Sequence, residues 1–309
     1  MSLRTIDSGY LGAPEYAATY LLRDGQRALF VETNTQAAVP QMLQTLRAEG
    51  MAPEQVEYII ITHVHLDHAG GASALMAACP NAVLLAHPRA ARHAIDPSKL
   101  VASATQVYGA ERFRQLYGVI EPIPENRVKI LEDGAQVSFG QRTLTFLHTR
   151  GHANHHFVVH DSGNNGVFTG DAFGIAYPAL QKNGPYIFPS TSPTDFDPTL
   201  AQESVDKIVA TGAQWVYLTH YGVYGQVASL ATQLKAELAQ YAALLAEAIQ
   251  SPHRGPALVQ FCTERVRGFF ERGLDQRGLN SQEAWDLVAL DVDLNGQGVA
   301  FTAEKARKG

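Results

Sequence analysis

Short strand-like runs alternate with helical runs in the first third of the chain. Two apolar runs flank an Asp24-Gly25 turn, which predicts two strands joined tightly. Apolar residues at helical spacing then predict the first helix (Val39, Met42, Leu43, Leu46). In chain order, the predicted elements are strands at 19–22 and 28–31, a helix at 37–49, a strand at 58–61, a helix at 71–78 and a strand at 82–86.

The pattern changes after residue 95. An Asp96-Pro97-Ser98 opening predicts a helical insertion over 96–117. Five short strands separated by turn residues follow, at 128–131, 136–139, 143–147, 157–160 and 166–168. A loop over 173–198 is rich in Pro, Gly and aromatic residues, and a loop this long predicts a functional lid. The remaining predicted elements are a helix at 199–211, a strand at 215–218 and a helix at 227–249.

Helical periodicity dominates the end of the chain. Residues 251–256 have the composition of a linker, so we predict a catalytic domain over 1–250 and a C-terminal helical extension over 251–309. A length of 309 residues suits one large domain, or one domain with an appendage.

Charge and cysteine content narrow the class of protein. The net charge of −6 provides no basic field for nucleic acid. Only two cysteines occur, far apart, which favours a reducing compartment over a disulfide-stapled secreted domain. No signal-peptide core and no run of roughly 20 apolar residues is present. We therefore expect a cytoplasmic protein that binds neither nucleic acid nor membrane.

Three imidazoles and one carboxylate occur within six residues, at His63, His65, Asp67 and His68. They directly follow the predicted strand at 58–61, so a buried strand ends here in a turn of polar side chains. Neutral imidazole nitrogen and carboxylate oxygen suit zinc and similar divalent ions. His63 and His65 point the same way in an extended segment, whereas the other two come where the chain turns. This geometry predicts two adjacent metals.

Three further candidate ligands each follow a predicted strand. They are His152 after Gly151, Asp171 after the strand at 166–168, and His220 after the strand at 215–218. Gly151 allows the backbone to bend so that His152 can project inward. Ligands at the carboxyl ends of several strands would lie along one rim, where loops commonly carry function.

The order and spacing of these residues resemble the metallo-β-lactamase superfamily over roughly residues 15–222. The resemblance implies an α/β fold, a four-layer αββα sandwich, here with a C-terminal helical appendage. It also implies that His63, His65 and His152 hold one metal, that Asp67, His68 and His220 hold a second, and that Asp171 bridges the two. Since position 171 is not Cys, the chain resembles the thioesterase, lactonase and nuclease branches more than true β-lactamases. The Thr-His-x-His-x-Asp-His-x-Gly-Gly form at 62–71 is similar to that of hydroxyacylglutathione hydrolases and acyl-homoserine lactonases.

Such a centre predicts a hydrolase without a Ser or Cys nucleophile. We expect two divalent ions and favour zinc, although the same ligands also accept manganese or iron. Two metals roughly 3.5–4 Å apart can share a hydroxide and polarise a substrate oxygen. The predicted reaction is therefore attack of a metal-bridging hydroxide on a small ester, thioester or lactone, with Asp67 as proton shuttle.

Several residues near the ligands have two interpretations. Glu32 stands where the family often carries Asp, and it either steadies a ligand imidazole or is a simple turn acid. Arg150 stands where the family often has Pro, and we interpret it as structural or exposed. One of His155 and His156 could reach the metal site, or both are ordinary.

The predicted substrate contacts are aromatic. Tyr177, Tyr186 and Phe188 lie on the 173–198 loop, where they suit an apolar or acyl group of a small-molecule substrate. Tyr221 follows the ligand His220, where its phenol either donates to a developing oxyanion or packs in the core. The helical insertion is either a pocket wall or a homodimer contact.

Two other reactions use the same scaffold. A phosphodiesterase or nuclease needs a basic groove or a clamp domain, which the charge of −6 disfavours. A non-haem iron oxidoreductase of this fold typically uses one iron and simplifies the second site. The seven candidate ligands argue against that alternative.

Overall fold

The computed structural model describes residues 2–191 and 195–308, which divide into two compact units. The first unit contains the described residues of 1–148, 155–170 and 213–225. The second contains those of 149–154, 171–212 and 226–309. This division differs from the boundary predicted at residue 250, because the helix that ends there packs with the last two helices of the chain. The domain boundary itself stays a prediction.

Two mixed sheets of six strands build the first unit. The strands of the first sheet are β1 (Ser2–Asp7), β2 (Ala18–Asp24), β3 (Arg27–Val31), β4 (Val56–Ile60), β5 (Val83–Ala86) and β6 (Val128–Ile130). They lie in sequence order, with β1 to β3 antiparallel and β3 to β6 parallel. Because β3 and β4 are parallel neighbours, the segments that follow them meet at the same edge of the sheet.

The second sheet contains β7 (Gln136–Phe139), β8 (Arg142–Thr149), β9 (His156–Asp161), β10 (Gly166–Gly170), β11 (Trp215–Leu218) and β12 (Gly222–Tyr224). Its order is β12-β11-β10-β9-β8-β7, and β10 and β11 pair in parallel. Every strand predicted for this region is confirmed to within a few residues. Two edge strands, β1 of the first sheet and β12 of the second, were not predicted.

Helices of the first unit precede the second sheet in sequence. They are α1 (Val39–Ala48), α2 (Leu66–Ala69), α3 (Ala72–Ala78), α4 (Pro88–Ile95), α5 (Ser98–Tyr108) and α6 (Ala110–Tyr117). The predicted insertion is confirmed as helical but is split into α5 and α6 at Gly109, whose φ of 77° an L-residue rarely adopts. The predictions missed α2 and α4.

Side chains of alternate strand residues pack into two cores on opposite faces of the first sheet. Ala28 and Phe30 of β3 pack in one core with α1 and α3. Leu29 and Val31 pack in the other core, together with Phe146 and Phe168 of the second sheet. This period of two is the expected consequence of the pleat, and it places the strand ends at a rigid edge.

Long helices dominate the second unit. They are α7 (Pro198–Ala210), α8 (Val227–Gln250), α9 (Gly255–Asp275) and α10 (Gln282–Ala306). Across the described chain, none of the helices combines the length and the apolar character needed to cross a bilayer.

Candidate metal centre

The ligand-rich loop begins where β4 ends, as predicted. His63 and His68 are fully buried, whereas the Asp67 side chain is 26% exposed. The loop is tied to the segment after β3, because the Thr33 amide and hydroxyl both donate to the His68 carbonyl at 2.9 Å. The Asn34 side-chain amide donates to the Asp67 carbonyl at 2.8 Å. These bonds fix the backbone from which the ligands project.

Two glycines allow this close approach of backbone to backbone. A Cβ added at Gly71 would lie 2.6 Å from the Thr33 carbonyl oxygen and 2.7 Å from that of Thr35. A Cβ at Gly70 would lie 2.4 Å from the Leu66 carbonyl oxygen. The Gly-Gly pair after the ligands is therefore a packing requirement of the loop.

His63 and His65 converge, as their spacing predicts. The Nε2 atom of His63 lies 2.8 Å from the Nδ1 atom of His65. On its other side, the Nδ1 atom of His63 is 3.0 Å from the Thr62 hydroxyl. Because the Thr62 hydroxyl donates to Glu32, it accepts from His63, which leaves Nε2 as the metal-binding atom of that ring.

Asp67, His68 and His220 form a second group, whose ligand atoms all lie within 4.8 Å of one another. The Nε2 atom of His220 is 3.3 Å from Oδ2 of Asp67. The Nδ1 atom of His220 donates to the Tyr16 carbonyl at 2.9 Å, so Nε2 is the donor atom for a metal. The first unit thus contains two groups of candidate ligands: His63 with His65, and Asp67 with His68 and His220.

Glu32 connects both groups. Its Oε1 atom accepts from the Thr62 hydroxyl, lies 3.3 Å from Nδ1 of His68, and lies 3.4 Å from the Thr219 hydroxyl. Glu32 is buried and has a φ of 65°, a region that non-glycine residues rarely occupy. Of the two interpretations of Glu32, the structure supports the one in which it steadies ligand imidazoles.

Other histidines surround His63. The His156 ring is buried, and its centroid is 4.9 Å from that of His63. The His155 ring stacks on His63 with a centroid distance of 5.9 Å. Both histidines thus contact the ligand set from outside, which the sequence left open.

A pair of imidazoles, of which His87 is buried and His148 partly buried, lies elsewhere in the first unit. The rings of His87 and His148 have centroids 4.2 Å apart. His87 accepts from the Arg89 amide and caps α4. Burial, with His148 and His155 as further contributions, lowers the pKa of His87 to about 3, so this ring is neutral at physiological pH.

His152 and Asp171 lie together in the second unit. The Nε2 atom of His152 is 3.3 Å from Oδ2 of Asp171, and the Ser190 hydroxyl donates to the same oxygen at 3.1 Å. The Nδ1 atom of His152 donates to the Ser190 carbonyl at 3.1 Å, which again leaves Nε2 as the donor atom. Gly151 has a φ of 99°, so the bend predicted before His152 is confirmed.

The aromatic residues of the predicted lid pack in the interior of the second unit. Tyr177, Tyr186 and Phe188 are each at most 2% exposed. The Tyr177 hydroxyl donates to Asp291 at 3.2 Å, and the Phe188 ring is 4.8 Å from that of Phe270. Packing against α9 and α10 is therefore their observed role, and contact with substrate stays a prediction. Tyr221 is half-buried against the core between the sheets, and its substrate contact also stays a prediction.

A set of tyrosines near Asp67 was not predicted. The Tyr16 ring lies edge-on to His220 at 6.3 Å and 6.2 Å from Tyr10. Tyr117 of α6 packs with Leu66 of the ligand loop. Burial raises the pKa of Tyr10 and of Tyr117 well above 10, and the negative charge of Asp67 adds to both shifts. These phenols are therefore neutral hydrogen-bond donors. Their contacts join segments far apart in sequence, so no local motif reveals them.

Among the described residues, the candidate metal ligands offer imidazole nitrogens of histidine and carboxylate oxygens of aspartate. Rings held through one nitrogen by a carbonyl, hydroxyl or carboxylate are typical of metal-binding histidines. The residues present therefore fit divalent metal ions.

Comparison with known proteins agrees with this geometry. A family model described as the metallo-β-lactamase superfamily matches residues 12–220. A solved archaeal metallo-β-lactamase superfamily protein from Sulfolobus tokodaii is similar with a TM-score of 0.67 and 19% identity, over 96% of this chain and 98% of that one. At this identity the likeness shows the fold, and it confirms the predicted αββα sandwich.

Two relatives found by sequence have enzyme names. The hydroxyacylglutathione hydrolase of Aeromonas salmonicida is 25% identical over 152 residues, which are 49% of this chain and 44% of that protein. An acyl-coenzyme A thioesterase of Homo sapiens is 27% identical over 140 residues, which are 42% of this chain and 46% of that protein. The match thus spans less than half the length of each.

Proposed function

Because the chain belongs to the metallo-β-lactamase superfamily, we propose that it is a metal-dependent hydrolase of a small ester, thioester or lactone. One observation carries this proposal: His63, His152 and His220 each place Nδ1 within 3.1 Å of an oxygen that accepts its hydrogen bond, and Nδ1 of His68 lies 3.3 Å from the Glu32 carboxylate. Each ring therefore has Nε2 as its donor for a metal. The arrangement suits metal binding better than a merely structural histidine cluster.

We further propose that the ligands of both units form one binuclear centre. In the family pattern, His63, His65 and His152 hold one ion, Asp67, His68 and His220 hold the other, and Asp171 bridges them. Zinc is the proposed metal, although the same donors accept manganese and iron. The metals would acidify a water molecule and polarise the carbonyl of the substrate.

The chain's own residues then handle protons and charge. Asp67 is partly exposed, so its carboxylate can take a proton from the attacking water and return it to the leaving group. Tyr10 and Tyr117 are neutral phenols whose pKa the charge of Asp67 helps to raise, and we propose that a phenol of this pair donates a hydrogen bond to an oxygen that gains charge in the transition state. Neither role requires a covalent intermediate with the protein.

A thioester is the favoured member of the substrate class. The names of two relatives denote hydrolysis of an acylglutathione and of an acyl-coenzyme A. Hydrolysis of such a bond joins water to the acyl carbon and releases a carboxylic acid and a thiol. A lactone opens by the same attack and yields a hydroxy acid, so it stays within the proposal.

Elemental analysis and a substrate panel test the proposal. Protein purified without added metal is analysed, then assayed on acylglutathiones, acyl-coenzyme A esters, lactones and a phosphodiester. We expect a metal-to-chain ratio near two and turnover of at least one acyl substrate. Asp67→Asn should lower kcat by roughly 10²- to 10⁴-fold, the usual range for loss of a general acid or base.

The matched control is His253→Asn, since His253 is an exposed histidine outside the ligand set. This variant should keep wild-type turnover. A ratio near one would contradict the binuclear centre. Turnover of the phosphodiester alone would replace the proposal with the phosphodiesterase alternative.

A further inference from the structure

Ser190, the middle residue of the segment 189–191, contacts both predicted ligands of the second unit. The Ser190 carbonyl accepts from Nδ1 of His152, and the Ser190 hydroxyl donates to Asp171. One residue thus orients an imidazole and a carboxylate at the same time. The position of Ser190 must therefore be fixed if the two ligands are to keep their geometry.

The residues on either side of Ser190 are held by one side chain from α10. The side-chain carbonyl oxygen of Asn295, Oδ1, accepts from the Thr191 backbone amide at 2.8 Å. The Asn295 amide group donates to the Pro189 carbonyl, also at 2.8 Å. Because a backbone amide only donates and a carbonyl only accepts, the orientation of the Asn295 amide is fixed.

Asn295 is itself buried and held in place. It is 2% exposed, and its amide also donates to the Tyr241 hydroxyl of α8 at 3.0 Å. The Thr191 hydroxyl donates to the Asn295 backbone carbonyl at 3.2 Å. In a low-dielectric interior, a network of this kind specifies one arrangement, because any alternative leaves buried polar groups unpaired.

We propose that Asn295 is a positioning residue that holds the segment 189–191, and through Ser190 orients His152 and Asp171 for metal binding. The last helix of the chain is then part of the support of the metal centre. Its remote position in sequence, more than a hundred residues after Ser190, is the reason that no local motif shows this role. The inference rests on the proposed metal site.

Chelator competition on the metal-loaded protein tests this inference independently of turnover. A chromogenic zinc chelator is titrated against the wild type, Asn295→Leu, Asn295→Asp and Ser190→Ala. We expect Asn295→Leu to weaken the affinity for zinc roughly 10- to 100-fold, the usual effect of losing a partner that orients metal ligands. Asn295→Asp keeps the acceptor for Thr191 and should lose less, as should Ser190→Ala, which keeps the carbonyl that His152 uses.

Val299→Ala is the matched control, because Val299 is a fully buried apolar residue one turn further along α10. It should lower the thermal midpoint and leave the affinity for zinc at the wild-type value. Equal weakening in Val299→Ala and Asn295→Leu would overturn the proposal, since general destabilisation would then explain both. Wild-type affinity in Asn295→Leu would also overturn it.

If Asn295→Leu fails to fold, Ser190→Ala and Asn295→Asp decide, and wild-type affinity in both would overturn the inference. Failure of the proposed function has a different result. A wild-type protein that binds no zinc, manganese or iron contradicts the metal site itself. A protein that binds metal without hydrolysing any substrate of the panel contradicts only the reaction.

Discussion

The two compact units hold their predicted ligands by different means. In the first unit, the buried Glu32 carboxylate accepts from the Thr62 and Thr219 hydroxyls, which follow β4 and β11, and lies beside the His68 ring. In the second unit, Ser190 in a loop does so, and the helix α10 holds that loop. His152 in the second unit and His220 in the first each donate through Nδ1 to a backbone carbonyl, which leaves Nε2 for a metal.

The two sets of proposed ligands differ in which parts of the molecule hold them in position. The proposed ligands of the first unit follow the short strands β4 and β11, whose last residues, Ile59, Ile60, Tyr217 and Leu218, are buried. Those of the second unit depend on hydrogen bonds between a loop and a helix distant in sequence. We therefore expect substitutions to act locally in the first unit, and at a distance in the second.

Removing the metal should have the largest effect, because the proposed ligands would lose the ion that the proposed function requires them to hold. A ligand that binds only the folded state at 1,000 times its Kd adds about 4 kcal/mol to the free energy of unfolding. Denaturant titration of metal-free and reconstituted protein measures this difference, and activity should fall to background in the metal-free form. Equal midpoints and equal activity would contradict a shared centre.

Glu32→Ala should have the next largest effect, since one carboxylate serves several ligand partners. We expect a roughly 10- to 100-fold loss of metal affinity, measured by chelator competition. Glu57→Ala is the control, because Glu57 is a partly exposed glutamate on β4 that pairs with Arg27. A loss no larger than that of Glu57→Ala would show that the first unit does not depend on Glu32.

Glycine-to-alanine substitutions compare how closely the backbone packs beside the proposed ligands of each unit. Gly151→Ala combines a φ of 99° with a Cβ 2.1 Å from the Ala201 amide nitrogen, so it should cost about 3 kcal/mol. Gly71→Ala has only the contacts with Thr33 and Thr35 and should cost about 1–2 kcal/mol. Gly212→Ala is the control, with a φ of 69° and open space, and should cost about 1 kcal/mol. Thermal and denaturant unfolding would show whether this order holds.

His87→Asn should change the pH dependence of stability and has the smallest effect at neutral pH. The pKa of His87 is lowered from 6.5 to about 3 in the folded protein. As the pH falls, this histidine therefore takes up a proton in the unfolded chain before it does so in the folded one. The stability that neutral His87 contributes is complete above pH 6.5 and is lost as the pH falls toward 3. Between pH 7 and 5 the wild type should lose about 2 kcal/mol more than His87→Asn, which keeps an acceptor for the Arg89 amide. His253→Asn should retain the wild-type slope; if it does not, His87 is not the responsible group.

Most elements and all proposed ligands were predictable, because both depend on local signals. Apolar runs and turn residues gave the strands β2 to β11, and His and Asp residues after strands gave the proposed ligands. The missed strands β1 and β12 lie at sheet edges, where half-exposed residues give a weak pattern. The loop at 173–198 was predicted as a lid, yet its Tyr177 and Phe188 are buried in contact with α10 and α9.

The sequence by itself determined which donor atoms are present, and His and Asp at this spacing predict the metal-dependent chemistry of the superfamily to which the chain belongs. Only the tertiary structure decided what holds those donors. Glu32, Ser190 and Asn295 act through hydrogen bonds to segments far away along the chain. Such partners are selected by packing, because a buried polar group is stable only where the fold places its complement.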